Sequence, residues 1–480
     1  MNGSRKNMPD KMSSIDNIQL KGQLEELFKS NFEKITRHDF PGLPGNRENA
    51  VRIFSELGFP DRKMENWRYT DLRKVLGGKY HTIFEPENTE ISIEQVFKCN
   101  IHELETDQIS LLNGWYVDSR KPLVEYDNGV IAGSLAAAMK KHPEIFEKHY
   151  GKYAETDKDG FHALNLAFAQ DGFFIYVPDN IVVEKPMQMV SIINWDQGLF
   201  IQTRNLVILG RNSKLTMVHC DDSTNQEAMF KNSVTEVFID EGANLEHYKL
   251  QNLNNQSALI NNTWFRQMKA SSLKSNAITL NGGLIRNYTH TVLDGEGASA
   301  EIFGVYLMDS TQHVDNQVFV DHASPNCFSN ELFKGILDEE ATAVFNGHIL
   351  VRRDAQKTNA FQNNKNILMS DTAKANSKPF LEIYADDVKC SHGATVGQLD
   401  PEAMFYLRSR GICEANARLL LLYAFAGEIV DKVSIQALKA RVDDMIRKRL
   451  KGELHICETC ALHCEGPNKE ILFEIDMSKV

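Results

Sequence analysis

Apolar residues recur at steps of three and four along much of residues 1–165, which is the spacing of one helix face. The run SIDNIQLKGQLEELFKSNFEKI, at 14–35, shows this period clearly. A second helix is predicted to stop at Gly58 and Pro60. A third, GSLAAAMKKHPEIFEKHY, is interrupted by Pro143, since proline lacks the N–H that a helix interior uses. The pattern predicts an N-terminal, mostly helical domain.

Short apolar runs, rich in β-branched and aromatic residues, replace the helical period over residues 166–398. They include GFFIYVP, MQMVSIIN, RNLVILG, KLTMVHC, TEVFID, EIFGVYLM and AVFNGHILV. A loose phrase recurs among them, in which a strand and a polar turn precede a small residue and another strand. The small residues are Ser213, Ala243, Ala298 and Ala341. Stacked coils explain the phrase, because each coil buries one face against its neighbours. We therefore predict a right-handed parallel β-helix, with a β-sandwich as the alternative.

Residues 399–480 return to a helical pattern, so the predicted fold class is mainly β, with helical domains flanking the β-helix core. Asp400 followed by Pro401 is typical of a helix N-terminus, and Gly411 of the end of that helix. The run EANARLLLLYAFAGEIVDKV is apolar on nearly every side of the helix that it predicts. Such a helix must be covered, either by its own domain or by a partner.

The charge of the chain narrows the classes of partner. Lys and Arg number 53 against 65 Asp and Glu, a net charge of −12. An acidic surface repels phosphate, so nucleic acid and anionic membrane are not expected as partners. The first residues, MNGSRKNMPDKMSS, lack the apolar core of a signal peptide, and the most apolar run, LLLLYAFAG, is far shorter than a membrane span. We expect a soluble, cytoplasmic protein.

Recognised catalytic motifs are missing from the sequence. It contains no G-x-x-x-x-G-K-[ST] loop, no H-E-x-x-H and no G-x-S-x-G. No strand, glycine loop and helix combine into a dinucleotide site. These absences weaken the case for an enzyme, and we expect no direct ATP binding.

The segment DDVKCSHGATVGQLD, at 386–400, contains the first candidate ligands. Cys390 and His392 are two residues apart, so on a strand they face the same side. A thiolate and an imidazole both bind iron and zinc. Two ligands do not close a site, and only Asp386 and Asp387 lie close by in sequence, so the rest of the shell must come from elsewhere. The alternative is structural, with a buried cysteine and a hydrogen-bonded histidine capping the last coil.

A second group of candidate metal ligands lies near the C-terminus, in HICETCALHCEG. Cys457, Cys460 and Cys464 share one face if the segment is helical, with His455 and His463 close by. A metal, cluster or redox site is one interpretation. Packed or solvated thiols, or thiols that pair with another copy, are the other.

The segment ENWRYTDL admits two interpretations. Trp67, Arg68 and Tyr69 could form an aromatic and basic recognition surface. More simply, the two aromatic residues pin the first domain onto the core.

From residue 345 to 412, FNGHILVRRDAQKTNAFQNNKNILMSDTAKANSKPFLEIYADDVKCSHGATVGQLDPEAMFYLRSRGI, the sequence resembles the SufD family of the SUF iron–sulfur cluster assembly system. The resemblance extends upstream to ALNLAFAQDGFFIYVP and ENWRYTDL, and downstream to about residue 430. The paralogous SufB family carries Gln-Cys-Asp where this chain has Gln362-Asn363-Asn364. It also carries His-Glu-Ala-Thr where this chain has His392-Gly393-Ala394-Thr395. Both differences favour SufD.

The resemblance implies a non-enzymatic scaffold whose β-helix, flanked by helical domains, pairs with a SufB-like subunit. It also implies that the C-terminal helical domain contacts SufC, an ABC-type ATPase, in a unit of one SufB, two SufC and one SufD. The candidate partner-binding residues are then Tyr406, Arg408, Arg410, Leu420, Tyr423 and Phe425. His392 matches the SufD histidine at the SufB interface, where a nascent iron–sulfur cluster or iron is held transiently. Cys390 is the second candidate there.

Two other functions remain open from the sequence. Parallel β-helices also host carbohydrate-active enzymes, for which Asp315, Asp321 and His322 are candidate groove residues. The chain could also be a stand-alone, SufB-like scaffold acting as a homodimer.

Overall fold

The computed structural model describes residues 10–86, 104–118 and 120–450, with side chains from residue 20 onward. A 3₁₀ turn spans Glu65–Trp67. The helices in these ranges are α1 (Asp10–Ser30), α2 (Phe32–Ile35), α3 (Leu43–Leu57), α4 (Arg73–Leu76), α5 (Leu135–Lys141), α6 (Pro143–His149), α7 (Gly160–Phe168), α8 (Pro401–Ser409), α9 (Glu414–Val430) and α10 (Gln436–Leu450).

The described strands divide between two sheets. Sheet I runs in the order β2-β1-β6-β8-β10-β12-β14-β16-β18-β20, and sheet II in the order β19-β17-β15-β13-β11-β9-β7-β5-β4-β3. The strands are β1 (Asp107–Leu112), β2 (Trp115–Tyr116), β3 (Leu123–Glu125), β4 (Ile131–Ser134), β5 (Phe173–Val177), β6 (Met187–Ile193), β7 (Leu199–Leu209), β8 (Lys214–Ser223), β9 (Met229–Ile239), β10 (Asn244–Asn252), β11 (Ala258–Gln267), β12 (Ser272–Asn281), β13 (Leu284–Leu293), β14 (Ser299–Met308), β15 (His313–His322), β16 (Phe328–Leu337), β17 (Thr342–Val351), β18 (Thr358–Leu368), β19 (Lys374–Ile383) and β20 (Val388–Gly397).

From β5 onward the chain alternates between the sheets, so each coil contributes one strand to each sheet and pairs in parallel with the coil before it. This is a parallel β-solenoid, and the predicted architecture is confirmed. The short strands β1–β4 precede residue 165, so both sheets extend into the segment predicted to be mostly helical.

The recurring small residue marks the corner where the chain passes between the sheets. Asn212 and Gly242 have positive φ angles of 54° and 69°, a backbone conformation that glycine and asparagine adopt most readily. Ser213 and Ala243 follow them and are buried, and each N–H bonds to the carbonyl three residues back. A larger side chain has little room at this corner, which explains the phrase seen in the sequence.

The N-terminal helices cover part of the outer face of sheet II, and a buried ion pair fixes them there. The Glu236 carboxylate accepts hydrogen bonds from the backbone N–H groups of Gly151 (2.8 Å), Tyr153 (2.8 Å) and Ala154 (3.1 Å). The Arg204 guanidinium binds the same carboxylate at 2.8 and 3.0 Å, and both side chains are fully buried. One carboxylate thus joins the connection between α6 and α7 to the solenoid.

Trp67 has the packing role that the sequence favoured for it. Its ring is buried and lies under the Arg286 guanidinium, at 3.7 Å from the ring centroid. Nearby, the Thr70 hydroxyl donates to the Asp315 carboxylate at 2.5 Å. Tyr69 remains 46% exposed, so the packing interpretation fails for that residue.

The solenoid interior contains a buried charge cluster. Asp221 lies 2.6 Å from the Lys231 ammonium and 2.5 Å from the Lys249 ammonium, and all three side chains are buried. The Ser191 hydroxyl accepts from Lys231 at 2.6 Å. Burial and the neighbouring Lys249 lower the pKa of His219, so its ring is neutral at pH 7. The cluster therefore holds one carboxylate between two ammonium groups.

The C-terminal helices lie against the outer face of sheet I. Leu422, Ile429 and Val430 of α9 are buried in a cluster that also includes Val190 and Val218 of that sheet. The apolar surface of α9 is thus partly covered by the protein itself. Among the described helices, none has the length and apolar character that crossing a bilayer requires.

Candidate functional site

Cys390 and His392 lie on β20, the last strand of sheet I, which has a hydrogen-bonded neighbour on one side only. Strand β19 is the last strand of sheet II. We call these two strands, residues 374–397, the terminal coil. In the described part of the chain the solenoid ends here, with both outer strand edges unpaired. Such edges offer N–H and C=O groups to another chain.

The two candidate ligands differ in exposure. Cys390 is half-buried, packs against the solenoid core and is paired in register with Ala360. Burial raises the pKa of its thiol, although a backbone hydrogen bond at Ala360 opposes the shift. His392 is exposed, and within the described residues its side chain makes no hydrogen bond or ion pair. The structural alternative required a hydrogen-bonded histidine, which this geometry does not provide.

As ligands, Cys390 and His392 would supply only part of a coordination shell. Within residues 10–86, 104–118 and 120–450, no three His, Cys, Asp or Glu side chains are close enough to hold a metal ion. Asp386 and Asp387 are exposed, and the Asp387 backbone carbonyl accepts a hydrogen bond from the Lys357 N–H. One thiol and one imidazole suit iron, but a cluster site needs further ligands, usually thiolates.

A buried polar pair lies directly beneath His392. In the parallel ladder His392 is in register with Gln362 of β18, which is in register with Glu331 of β16. The Gln362 Nε2 group donates to Glu331 Oε2 at 2.9 Å, and both side chains are fully buried. Burial raises the pKa of Glu331 to about 8, so it is mostly protonated at pH 7. Sequence reasoning missed Glu331, and its only signal was an inward position on an alternating strand.

Apolar side chains are exposed around the terminal coil. They are Phe380, Ile383, Tyr384 and Val396. Together with the unpaired strand edges they form a surface suited to a protein partner. These apolar residues are visible in the sequence, but the sequence pattern alone does not tell which coil is the last.

The six predicted partner-binding residues fall into two groups. Tyr406, Arg408 and Arg410 are exposed on or just after α8, a helix with no buried residue, and the Arg410 guanidinium lies over the Tyr406 ring at 5.2 Å.

The second group, Leu420, Tyr423 and Phe425, is half-buried on α9. The Tyr423 ring lies beneath the Arg447 guanidinium of α10, at 4.4 Å. The Lys334 ammonium of β16 lies 4.4 Å from the Phe425 ring centroid. Tyr423 and Phe425 are therefore engaged by this chain, whereas the residues near α8 are accessible.

The candidate groove residues for a carbohydrate-active enzyme do not converge. Asp315 and Asp321 lie on the outer face of β15, where Arg286 and Arg352 neutralise them. The His322 ring points into the solenoid and lies 2.8 Å from the Ser329 hydroxyl. The C-terminal candidates Cys457, Cys460 and Cys464 lie outside the described residues.

Comparison with known proteins gives consistent matches over most of the chain. A family model described as "SUF system FeS cluster assembly, SufBD core domain" matches residues 192–425, and one for the SufBD protein N-terminal region matches 18–189. The SufD iron–sulfur cluster assembly protein of Escherichia coli is 30% identical over 82% of this chain and 90% of its own length. The SufD of Bacillus subtilis is 27% identical over 89% of this chain and 98% of its own. A SufBD family protein of Synechocystis is 28% identical over 85% and 91%.

Proposed function

The chain belongs to the SufBD family of iron–sulfur cluster assembly proteins, and we propose that it is a SufD-type, non-catalytic scaffold subunit. In this role its terminal coil pairs with a SufB-like subunit. The two subunits together hold a nascent cluster or iron, which is cargo and not a resident cofactor. The proposed setting is the cytoplasm, and nucleotide chemistry belongs to a SufC-type ATPase partner.

The observation that carries this proposal is an incomplete ligand pair on an unpaired strand edge. Cys390 and His392 supply one thiol and one imidazole where the described solenoid ends. A partner that adds strands to this edge pairs its free backbone groups and also brings ligands to the same place. Because Cys390 holds its proton more tightly than an ordinary thiol, we assign His392 the leading role and Cys390 the second.

The test is reconstitution with a SufB-like subunit and a SufC-type ATPase. We expect His392→Ala to lower cluster yield by about tenfold or more, since loss of a ligand weakens metal binding by at least the 10–100-fold typical of lost supporting contacts. Yield is measured anaerobically by absorbance and by iron and sulfide content.

His81, another exposed histidine, supplies the matched control, and His81→Ala should leave the yield unchanged. Equal yields from His392→Ala and wild type would remove His392 from the site. A stable homodimer that assembles clusters without the SufB-like subunit would instead favour the stand-alone scaffold.

Pairing through the terminal coil predicts a second result. Val396 is 46% exposed on β20, and Val396→Asp would place a charge in the interface with no partner. We expect affinity for the SufB-like subunit to fall by at least about tenfold. Val182 is 49% exposed on an early coil, far from the terminal coil. Val182→Asp is therefore the control, because it should change the stability of the free chain by a similar amount. Equal binding by the two variants, measured by calorimetry, would count against this interface.

We assign ATPase docking to α8, whose exposed Phe405 and Tyr406 side chains are 74% and 58% accessible. The proposed mechanism is mechanical, with ATP binding drawing two ATPase subunits together and the helical domain passing strain to the SufB–SufD interface. A direct contact connects the helical domain to the solenoid, because the Lys334 ammonium of β16 donates a hydrogen bond to the Phe425 carbonyl of α9 at 3.0 Å. Strand β16 also carries Glu331.

Tyr406→Ala should weaken ATPase binding by about 2 kcal/mol, the size of an interface hot spot. It should also abolish any ATP-dependent change in the alkylation rate of Cys390 within the complex. Tyr69→Ala removes another exposed tyrosine, 46% accessible, and serves as the control. Unchanged ATPase affinity in Tyr406→Ala would place docking elsewhere.

A further inference from the structure

We propose that Gln362 is a positioning residue for His392, and that Glu331 holds the Gln362 amide in place for this task. In the assembled complex the His392 Nδ1–H donates to Gln362 Oε1, which leaves Nε2 free to bind the cargo. The inference rests on the proposed function, since it assumes that His392 is a ligand.

The nitrogen of the Gln362 amide is hydrogen-bonded, whereas its oxygen is not. Its Nε2 donates to Glu331 Oε2 at 2.9 Å, whereas its buried Oε1 has no hydrogen-bond partner within the described residues. An unpaired carbonyl oxygen in a protein interior is costly, so such atoms normally find a donor. The adjacent position in the ladder toward the exposed end of the solenoid is His392. Neighbouring strands are about 4.8 Å apart, which is within reach of an imidazole ring.

Gly347 of the opposite sheet leaves the space that the Gln362 side chain occupies. A Cβ atom built at residue 347 would lie 2.3 Å from Gln362 Nε2 and 2.8 Å from its Oε1. These distances are too short for real contacts, so the amide occupies space that any other residue at 347 would fill. The Gln362 side chain thus extends across the interior between Glu331 and Gly347, and this packing fixes its position.

The chemistry of metal-bound histidine explains why a fixed acceptor beneath His392 would assist metal binding. A histidine that binds metal through one ring nitrogen usually donates its other N–H to a carbonyl or carboxylate, which fixes the tautomer and the orientation of the ring. His392 makes no such contact in the described chain alone. Covering the terminal coil with a partner limits the freedom of the exposed ring and turns it toward Gln362 Oε1, the unpaired acceptor on the adjacent strand.

The experiment reads the tautomer of His392 directly. The complex is reconstituted without iron at pH 8, with ¹⁵N-histidine only in this chain, and solid-state ¹⁵N spectra are recorded; the His392 signals are those missing from His392→Ala. We expect the Nδ1-protonated tautomer in wild type and a shift toward the Nε2-protonated tautomer in Gln362→Met. Cluster yield should fall by about tenfold in the same variant.

Asn364 provides the matched control. It is equally buried on the same strand and face, lies beneath Ala394 and donates to the Tyr306 hydroxyl at 3.1 Å. Asn364→Leu should leave the His392 tautomer unchanged. If Gln362→Met does not fold, Gly347→Ala displaces the same amide and should give the same shift.

Identical His392 spectra in wild type and Gln362→Met would overturn the proposal, as would an equal shift in Asn364→Leu. Failure of the proposed function is a separate result, because it appears as an unchanged cluster yield in His392→Ala whatever the spectra show.

Discussion

Glu236→Ala is expected to lower the free energy of unfolding by about 3–5 kcal/mol, the cost of breaking a buried ion pair by removing one partner. The change leaves the Arg204 guanidinium buried without its carboxylate. It also removes the acceptor for the backbone N–H groups of Gly151, Tyr153 and Ala154. Each unpaired buried donor adds to the loss. Urea unfolding monitored by circular dichroism measures the change.

The Arg211–Asp179 pair offers a matched control. It too joins arginine to a carboxylate, with contacts of 2.8 and 3.0 Å, but both side chains are largely exposed. Asp179→Ala should cost far less than Glu236→Ala, because water and salt screen an exposed pair. Similar losses in the two variants would mean that Glu236 does not anchor the N-terminal helices as the structure indicates.

Asp221→Asn is expected to have a similarly large effect, again about 3–5 kcal/mol at pH 7. Burial alone would raise the pKa of Asp221, but Lys231 and Lys249 outweigh burial and hold that pKa well below its ordinary value. The carboxylate is therefore charged, and without it two ammonium groups face each other in the solenoid interior. Urea unfolding at pH 7 again measures the loss.

The direction in which stability changes with pH distinguishes repulsion between the two lysines from poor packing of the new asparagine side chain. Burial lowers the pKa of Lys249 to about 8 even with Asp221 present, whereas the unfolded lysine titrates near 10.4. Between these values the unfolded state binds more protons, so stability rises with pH. Asp221→Asn removes the main group opposing that shift, so its loss of stability should be smaller at pH 10 than at pH 7. Adding Lys249→Met should recover part of the loss at pH 7, and no recovery would argue against charge repulsion.

Local pattern favoured the coiled architecture over a β-sandwich and predicted several helix ends. Helix α3 ends at Leu57 just before Gly58, α6 begins at Pro143, and the Asp400 side chain caps α8 by accepting from the N–H groups of Glu402 and Ala403. In each case a proline, a glycine or a short polar side chain controls the backbone within a few residues. Such signals need no knowledge of distant contacts.

The contacts that surround the candidate site could not be predicted in this way. Gln362 and Glu331 are 31 residues apart in sequence and become neighbours only through the register of the coils. Likewise, Trp67 packs under Arg286, and nothing in either segment specifies the other. The family resemblance singled out His392 as a ligand, but the residues beneath it depend on which strands stack and in what register.

The unpaired edges of the terminal coil also affect how the free chain associates with other chains. A free copy presents ladder edges that can pair with an extended segment of another chain, including the same edge of a second copy. Pro379 has no N–H to offer, and Lys374 and Lys389 place charge beside the edges, so incorrect edge-to-edge stacking is disfavoured without being blocked. If the proposed SufB-like subunit covers these edges, an excess of this chain over that subunit should aggregate more readily than a balanced mixture.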